Sequence, residues 1–260
     1  MRSVFNPTRR NRNIGTAKQG YGQSNRLTIP NVSCVGSYLE RIGEHETLLR
    51  DVKGRQIKFL IEATRRDCGH HCTVDDIAQI LEFLPTSDWS GIDTIFFRQP
   101  TRKQAILSPT WGRLKYYAEI RTFSGRMVAS GPIIYIDAVE RDYSYEWTNS
   151  LSPENQIELR CLKSDGHEID RQGGKFIIQT SETSIRNTQL YRTLPHEIGH
   201  WFDWLQKVET PFMHGEDYST LVNRYFNRPQ NEREAFAHRY ASDTSDKLKQ
   251  EKLIPFDRRV

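Results

Sequence analysis

Residues 196–200 read His196-Glu197-Ile198-Gly199-His200. On a helix, positions i and i+4 project from one face a turn apart, so two imidazoles at this spacing can reach a single metal ion. Glu197, one position beyond the first histidine, would lie beside that ion and not on it. A carboxylate so placed can take a proton from an activated water and pass it to a leaving amine. Zinc suits the set, because it lowers the pKa of water toward about 7 and polarises a carbonyl, the two demands of amide hydrolysis. With 8 histidines in 260 residues, an accidental His-Glu-x-x-His is rare.

A catalytic zinc site usually takes three protein ligands and a water. Beyond the motif the candidates are His214, Glu216, Asp217, Glu232, Glu234 and His238. Residues 231–241 read as a helix with Ala235, Phe236 and Tyr240 on its buried side. Glu234 and His238 share a face at i, i+4 spacing. Glu232 is about 200° around the helix from Glu234, so one of the two points inward, and Glu234 is the expected third ligand. Asp203 lies on the metal-facing side, where a carboxylate orients a ligating imidazole through its other nitrogen. His238 is a candidate for the same role or for donating to a developing oxyanion, as are Tyr225, Tyr218 and His214.

These residues need helices to hold them. Leu194, Ile198, Trp201, Phe202 and Leu205 supply an apolar face for a helix from Thr188 or Thr193 to Lys207. Pro195 disfavours the α conformation at Leu194, which implies an N-cap at Thr193 or a kink. A further helix runs from about Asn231 to Ser242. Upstream, Ser37-Tyr38-Leu39-Glu40 has the form of a capping box for a helix to about Val52. Ile57, Leu60 and Ile61 sit at helical spacing, and a third helix starts at Thr73 and ends before Pro85. Then β-branched and aromatic runs predict strands at Ile92–Phe97, Lys115–Ile120, Ile133–Ala138, Ile157–Leu162 and Lys175–Thr180. Asp165-Gly166 reads as a hairpin turn between the last two. Helices, then a mostly sequential sheet, then helices make the class α+β. The domain reading is a basic tail over 1–28, a helical N-terminal subdomain over 29–85 and a catalytic domain over 86–260.

Hydrophobic residues at 36% and charged residues at 27% exclude wholesale disorder. No apolar run is long enough for a spanning helix, and the N-terminus lacks the apolar stretch of a signal peptide, so a cytoplasmic protein is expected. The net charge of +4 is uneven. Arg2, Arg9, Arg10, Arg12, Lys18 and Arg26 stand in a tail without acidic residues, a composition that favours flexibility and weak contact with nucleic acid or an acidic surface. The remainder, with 31 basic and 33 acidic residues, is near neutral, which argues against a dedicated nucleic-acid domain. Of the four cysteines, Cys68 and Cys72 flank Gly69-His70-His71. Their spacing is not that of a common zinc knuckle, so a loop with partly buried thiols is the simpler reading. For all four, Cys34 and Cys161 included, free thiols or metal ligands are expected rather than a disulfide framework, and Cys34 could join Cys68 and Cys72 only if the first helix folds back.

The motif followed 34 positions after His200 by Glu234, within Asn231-Glu232-Arg233-Glu234-Ala235-Phe236-Ala237, resembles the zincin metallopeptidases of the gluzincin kind. The nearest likeness is to the catalytic domain of anthrax lethal factor and its relatives, where an Asp follows the motif as Asp203 does. The repressor-cleaving metallopeptidases of bacterial mobile elements share a similar Glu-x-Glu-Ala segment. The likeness covers residues 193–241 specifically and 85–245 loosely. It implies a zincin-like fold, one catalytic zinc on His196, His200 and Glu234, Glu197 as general base and a protein or peptide substrate. It also implies a substrate strand pairing with a sheet edge, which Ile133–Asp137 or Lys175–Thr180 could supply. Where the familiar gluzincin has an Asp four residues after the ligating Glu, this chain has His238. The reading is therefore a zinc-dependent endopeptidase. Its alternatives are a non-catalytic metal-bound regulator that uses the basic tail, and a protease delivered to another cell as a toxin or effector.

Overall fold

Three strands stand where the first two helices were expected. β1 (Tyr38–Ile42), β2 (His45–Val52) and β3 (Arg55–Glu62) belong to one sheet, β2 and β3 joined by a two-residue turn. Lys53 and Gly54 both take positive φ there, 53° and 76°, matching the twist that a two-residue hairpin turn demands. Both faces of β3 are covered, since Ile57, Phe59 and Leu60 are all buried. A strand buried on both sides loses its alternation, and its apolar residues then fit a helical spacing equally well. The computed structural model describes residues 38–107, 110–141 and 144–259. The basic tail, Cys34 and Ser37 lie outside them.

After β4 (Cys68–Gly69), α1 (Val74–Phe83) begins and ends as its sequence predicts. Thr73 Oγ accepts the Asp76 N–H at 3.0 Å and the Asp76 carboxylate accepts the Thr73 N–H at 3.1 Å, a reciprocal cap. β5 (Thr94–Arg98), α2 (Arg102–Leu107), β6 (Gly112–Thr122), β7 (Met127–Asp137), β8 (Val139–Glu140) and β9 (Ser144–Thr148) follow. The expected strand at Ile157–Leu162 is instead part of α3 (Pro153–Ser164). Ser152 caps it by accepting the Asn155 N–H, and Pro153 fills the first turn, where its missing N–H costs nothing. Asp165-Gly166 ends that helix, with Gly166 at φ 96°, and is not a hairpin turn. The hairpin is β10 (Glu168–Gln172) with β11 (Lys175–Gln179), turning at Gly173-Gly174.

The main sheet has the order β1-β6-β7-β5-β3-β2. β1 runs parallel to β6, β7 and β3 both run parallel to β5, and the β6–β7 and β2–β3 pairs are antiparallel. Ile133–Asp137 pairs with β5 on one side and β6 on the other, while β11 is the middle strand of β10-β11-β9. Neither segment named above as a substrate-binding edge has a free side. Nor is there a boundary at residue 85, because β1, β2 and β3 complete the sheet of β5, β6 and β7 and Ser37–Val260 forms one compact unit. The supposed helical subdomain is part of the body. The class remains α+β, with helices and strands interleaved.

From Glu182 the chain is almost continuously helical. α4 (Glu182–Thr188) passes through a π turn, Gln189–Thr193, into α5 (Leu194–Trp204), and a second π turn, Leu205–Glu209, leads to α6 (Thr210–Met213). Thr193 is helical, with φ −66° and ψ −50°, and its side chain caps nothing. Each π turn stands just ahead of a proline, Pro195 and Pro211. A proline has no N–H to give and its ring crowds the preceding turn, and the widened turn relieves that crowding. α7 (Tyr218–Asn227) and α8 (Gln230–Gln250) complete the chain, α8 extending well past the expected end at Ser242.

Candidate metal centre

α5 is pinned to the sheet at several points. A Cβ on Gly112 would lie 3.0 Å from Thr193 Cγ2 and 2.6 Å from the Tyr135 carbonyl oxygen, so the absence of a side chain lets the helix start approach β6. The Gln189 side chain donates to the carbonyls of Trp111 and Asp137, and Trp201 Nε1 donates to the Ser90 carbonyl at 2.7 Å. Leu194, Ile198, Trp201 and Trp204 are buried along this helix, while His196 and His200 remain partly exposed on another face.

α8 crosses α5 at Gly199. A Cβ there would stand 3.1 Å from Ala237 Cα and 3.0 Å from Tyr240 Cβ, tighter than ordinary packing allows. Ala237 and Ala241 are the buried residues facing inward at this crossing, rather than the Ala235 and Phe236 expected from periodicity. The close approach brings Glu234 to the histidines. Its Oε2 lies 3.4 Å from His196 Nε2 and 3.5 Å from His200 Nε2, and the two Nε2 atoms are 3.1 Å apart. A tetrahedral ion with bonds of about 2.0–2.1 Å separates its ligands by about 3.3–3.4 Å, so the spacing fits a metal centre. His196 and His200 hold the Glu234 carboxyl well below the usual carboxylate range. Glu232 points away and pairs with Arg228 at 3.7 Å. Among the described residues, this trio is the group of His, Cys, Asp and Glu side chains that converges as a metal set.

Glu197 lies beside the trio. Its Oε2 accepts the Leu114 N–H at 2.6 Å. β1 pairs with β6 from Ala118 to Thr122, and β7 takes the other side of Gly112–Lys115, so among the described residues Leu114 lies on an open strand edge. Among the described residues, the edge sought in β7 or β11 is therefore in β6. No side-chain motif announces it.

The other candidates fall elsewhere. Asp203 is fully buried, with Oδ2 2.7 Å from Arg228 Nη1 and Oδ1 unpaired. It anchors the end of α7, at the turn into α8, and does not orient an imidazole; His196 Nδ1 is buried without a partner. Tyr225 is buried under α5, its hydroxyl 2.9 Å from that of Tyr116, which removes it as an oxyanion donor. Burial, chiefly, pushes its phenol up to about 12. Tyr218 pairs its hydroxyl with Tyr117, and His214 is exposed with Nδ1 on the Thr210 carbonyl. Glu216 and Asp217 are exposed, and Asp217 caps α7. His238 does reach the site, its ring centroid 4.5 Å from that of His196. Desolvation and then the His196 charge lower its pKa.

The Cys68–Cys72 segment does not gather into a metal set. Cys68 accepts from Arg65, His70 and His71 face the Glu62 and Val139 carbonyls, and Cys72 is buried beside Arg186 and Gln189. Burial pushes both thiols up, which suits inert packing. Among the described residues, no helix is long and apolar enough to cross a membrane. The chain matches no known family profile, no curated protein and no solved structure.

Proposed function

We propose that this chain is a zinc-dependent peptidase whose site is built by α5, α8 and the edge of β6 that is open among the described residues. The observation that carries the reading is the convergence of His196, His200 and Glu234 with Glu197 beside them. Two neutral imidazoles and one carboxylate are the donor set that zinc takes in catalytic sites. Bound there, zinc would supply a Lewis acid that polarises the scissile carbonyl and acidifies water.

The chain's own residues do the rest. An extended peptide lies along the β6 edge at Gly112–Tyr117, pairing with backbone groups of that edge other than the Leu114 N–H, which Glu197 holds, and this fixes its register against α5. Glu197, aimed by the Leu114 N–H, takes the proton of the attacking water and delivers it to the departing amine. His238, next to His196 and accessible, borders the space in which the carbonyl oxygen develops charge.

Elemental analysis and peptide-library hydrolysis on the same preparations test this reading. Wild type is expected to hold about one zinc per chain, and Glu234→Ala to lose it. Glu197→Gln is expected to keep the zinc and lose about 10²–10⁴-fold in kcat/KM. Full activity in Glu197→Gln, or no zinc in wild type supplied with it at neutral pH, would overturn the reading.

A further inference from the structure

β6 carries two cations on the far side of the site. In the β6–β7 pairing Arg113 stands opposite Tyr135 and Lys115 opposite Ile133, whereas Leu114 stands opposite Ile134. Cross-strand partners share a face, so Arg113 and Lys115 project to one side of the sheet and Gly112 and Leu114 to the side that Thr193 and α5 occupy. A peptide lying along the open edge presents its alternate side chains to these two sides in turn.

The charges on the far side are unevenly matched. Arg98 is buried against Asp137, with which it makes two hydrogen bonds of 2.9 and 3.1 Å, and it also reaches Glu40 at 3.5 Å. Arg113 shares Asp137 at 3.0 Å. Lys115 Nζ sits 4.3 Å from the centre of the Tyr38 ring and has no ion pair among the described residues. The carboxylates whose charge reaches it, Glu40 on its own side and Glu197 from the α5 side, are engaged with Arg98 and with the Leu114 N–H. Burial first, and then Arg113 and Arg98, hold the ammonium below its ordinary pKa, the response of a cation that lacks a counter-ion. Residues 1–39 contain no Asp or Glu.

We propose that Lys115, with Arg113 beside it, forms a subsite for an acidic side chain of the bound peptide, on the side of the β6 edge away from α5. This rests on the peptidase reading. It makes the substrate class a peptide with Asp or Glu at one fixed position relative to the scissile bond, and Lys115 the residue that selects it.

The test uses the full chain loaded with zinc and peptides blocked at both ends, so that no terminal carboxylate contributes. Cleavage rates are compared for pairs of peptides differing only by Glu or Gln at each position, with products mapped by mass spectrometry. At one position the Glu/Gln ratio for wild type is expected to be about 10 or more, the factor associated with a charge-assisted hydrogen bond. It should fall to about one in Lys115→Met, drop below one in Lys115→Glu and persist in Lys115→Arg. Cleavage with no acidic preference at any position, or a preference that neither Lys115→Met nor Lys115→Glu shifts, overturns this proposal alone. No cleavage of any peptide by the zinc-loaded wild type overturns the peptidase reading and this proposal with it.

Discussion

His167 shows how a titratable group outside the site contributes to the fold. It is buried against the Trp111 ring with Nε2 2.9 Å from Thr188 Oγ1. Burial, and then the Arg192 charge, lower its pKa from 6.5 to about 4. Between those values the unfolded chain binds the proton and the native one does not, so stability rises with pH across that window. The contribution is fully present above about 6.5 and lost as pH falls toward 4, a change approaching roughly 3 kcal/mol. Denaturant melts at pH 7 and 4.5 should show His167→Gln losing less stability on acidification than wild type; parallel losses would refute the assignment. The convergence of His196, His200 and Glu234 was legible because its geometry is local to two helices. Asp203 and Tyr225 were not, because their partners Arg228 and Tyr116 arrive from other elements. Leu114 acts through its backbone, so its side chain carried no signal.

α5 and α8 meet through residues chosen for smallness. Gly199→Ala places a methyl 3.1 Å from the Ala237 Cα, a backbone atom that cannot turn aside. The helices must separate by a few tenths of an ångström, at a cost of about 1–3 kcal/mol. Since Glu234 and the histidines sit on opposite sides of that crossing, metal affinity should fall about tenfold or more, as read by chelator competition. Unchanged affinity with a lowered Tm would mean that the site adjusts independently of the crossing. Arg233 supports the same approach from the other side, donating to the carbonyls of Tyr225, Phe226 and Arg228 at the end of α7. At this scale α1 and β5, β6, β7 and β11 were readable from caps and short apolar runs. β3 was not, because burial on both faces erased its period, and α3 was misread because its branched residues outweighed the Ser152-Pro153 start.

Taken whole, the molecule threads one sheet from segments far apart in the chain. β1 pairs with β6 and β3 with β5, and such crossovers leave no trace in local periodicity, which is why residues 29–85 read as a separate helical part. The α+β class survived because it needs only the kinds of element, not their order in the sheet. The ligand set has a further consequence at this scale. His200 and Glu234 are 34 positions apart, with the second π turn, α6 and α7 between them. An ion bound as proposed would act as a removable cross-link that closes this loop, with a chain-entropy effect of about 4 kcal/mol by analogy with a disulfide of that span. Chelation should open new limited-trypsin cleavage within residues 205–229, after Lys207 or Arg224, and added zinc should restore resistance there. Identical digestion with and without chelator would show that packing alone holds the loop. For a peptidase, such a cross-link would also be a safeguard: a molecule that loses its metal would open its own chain at the segment between its ligands and become a substrate.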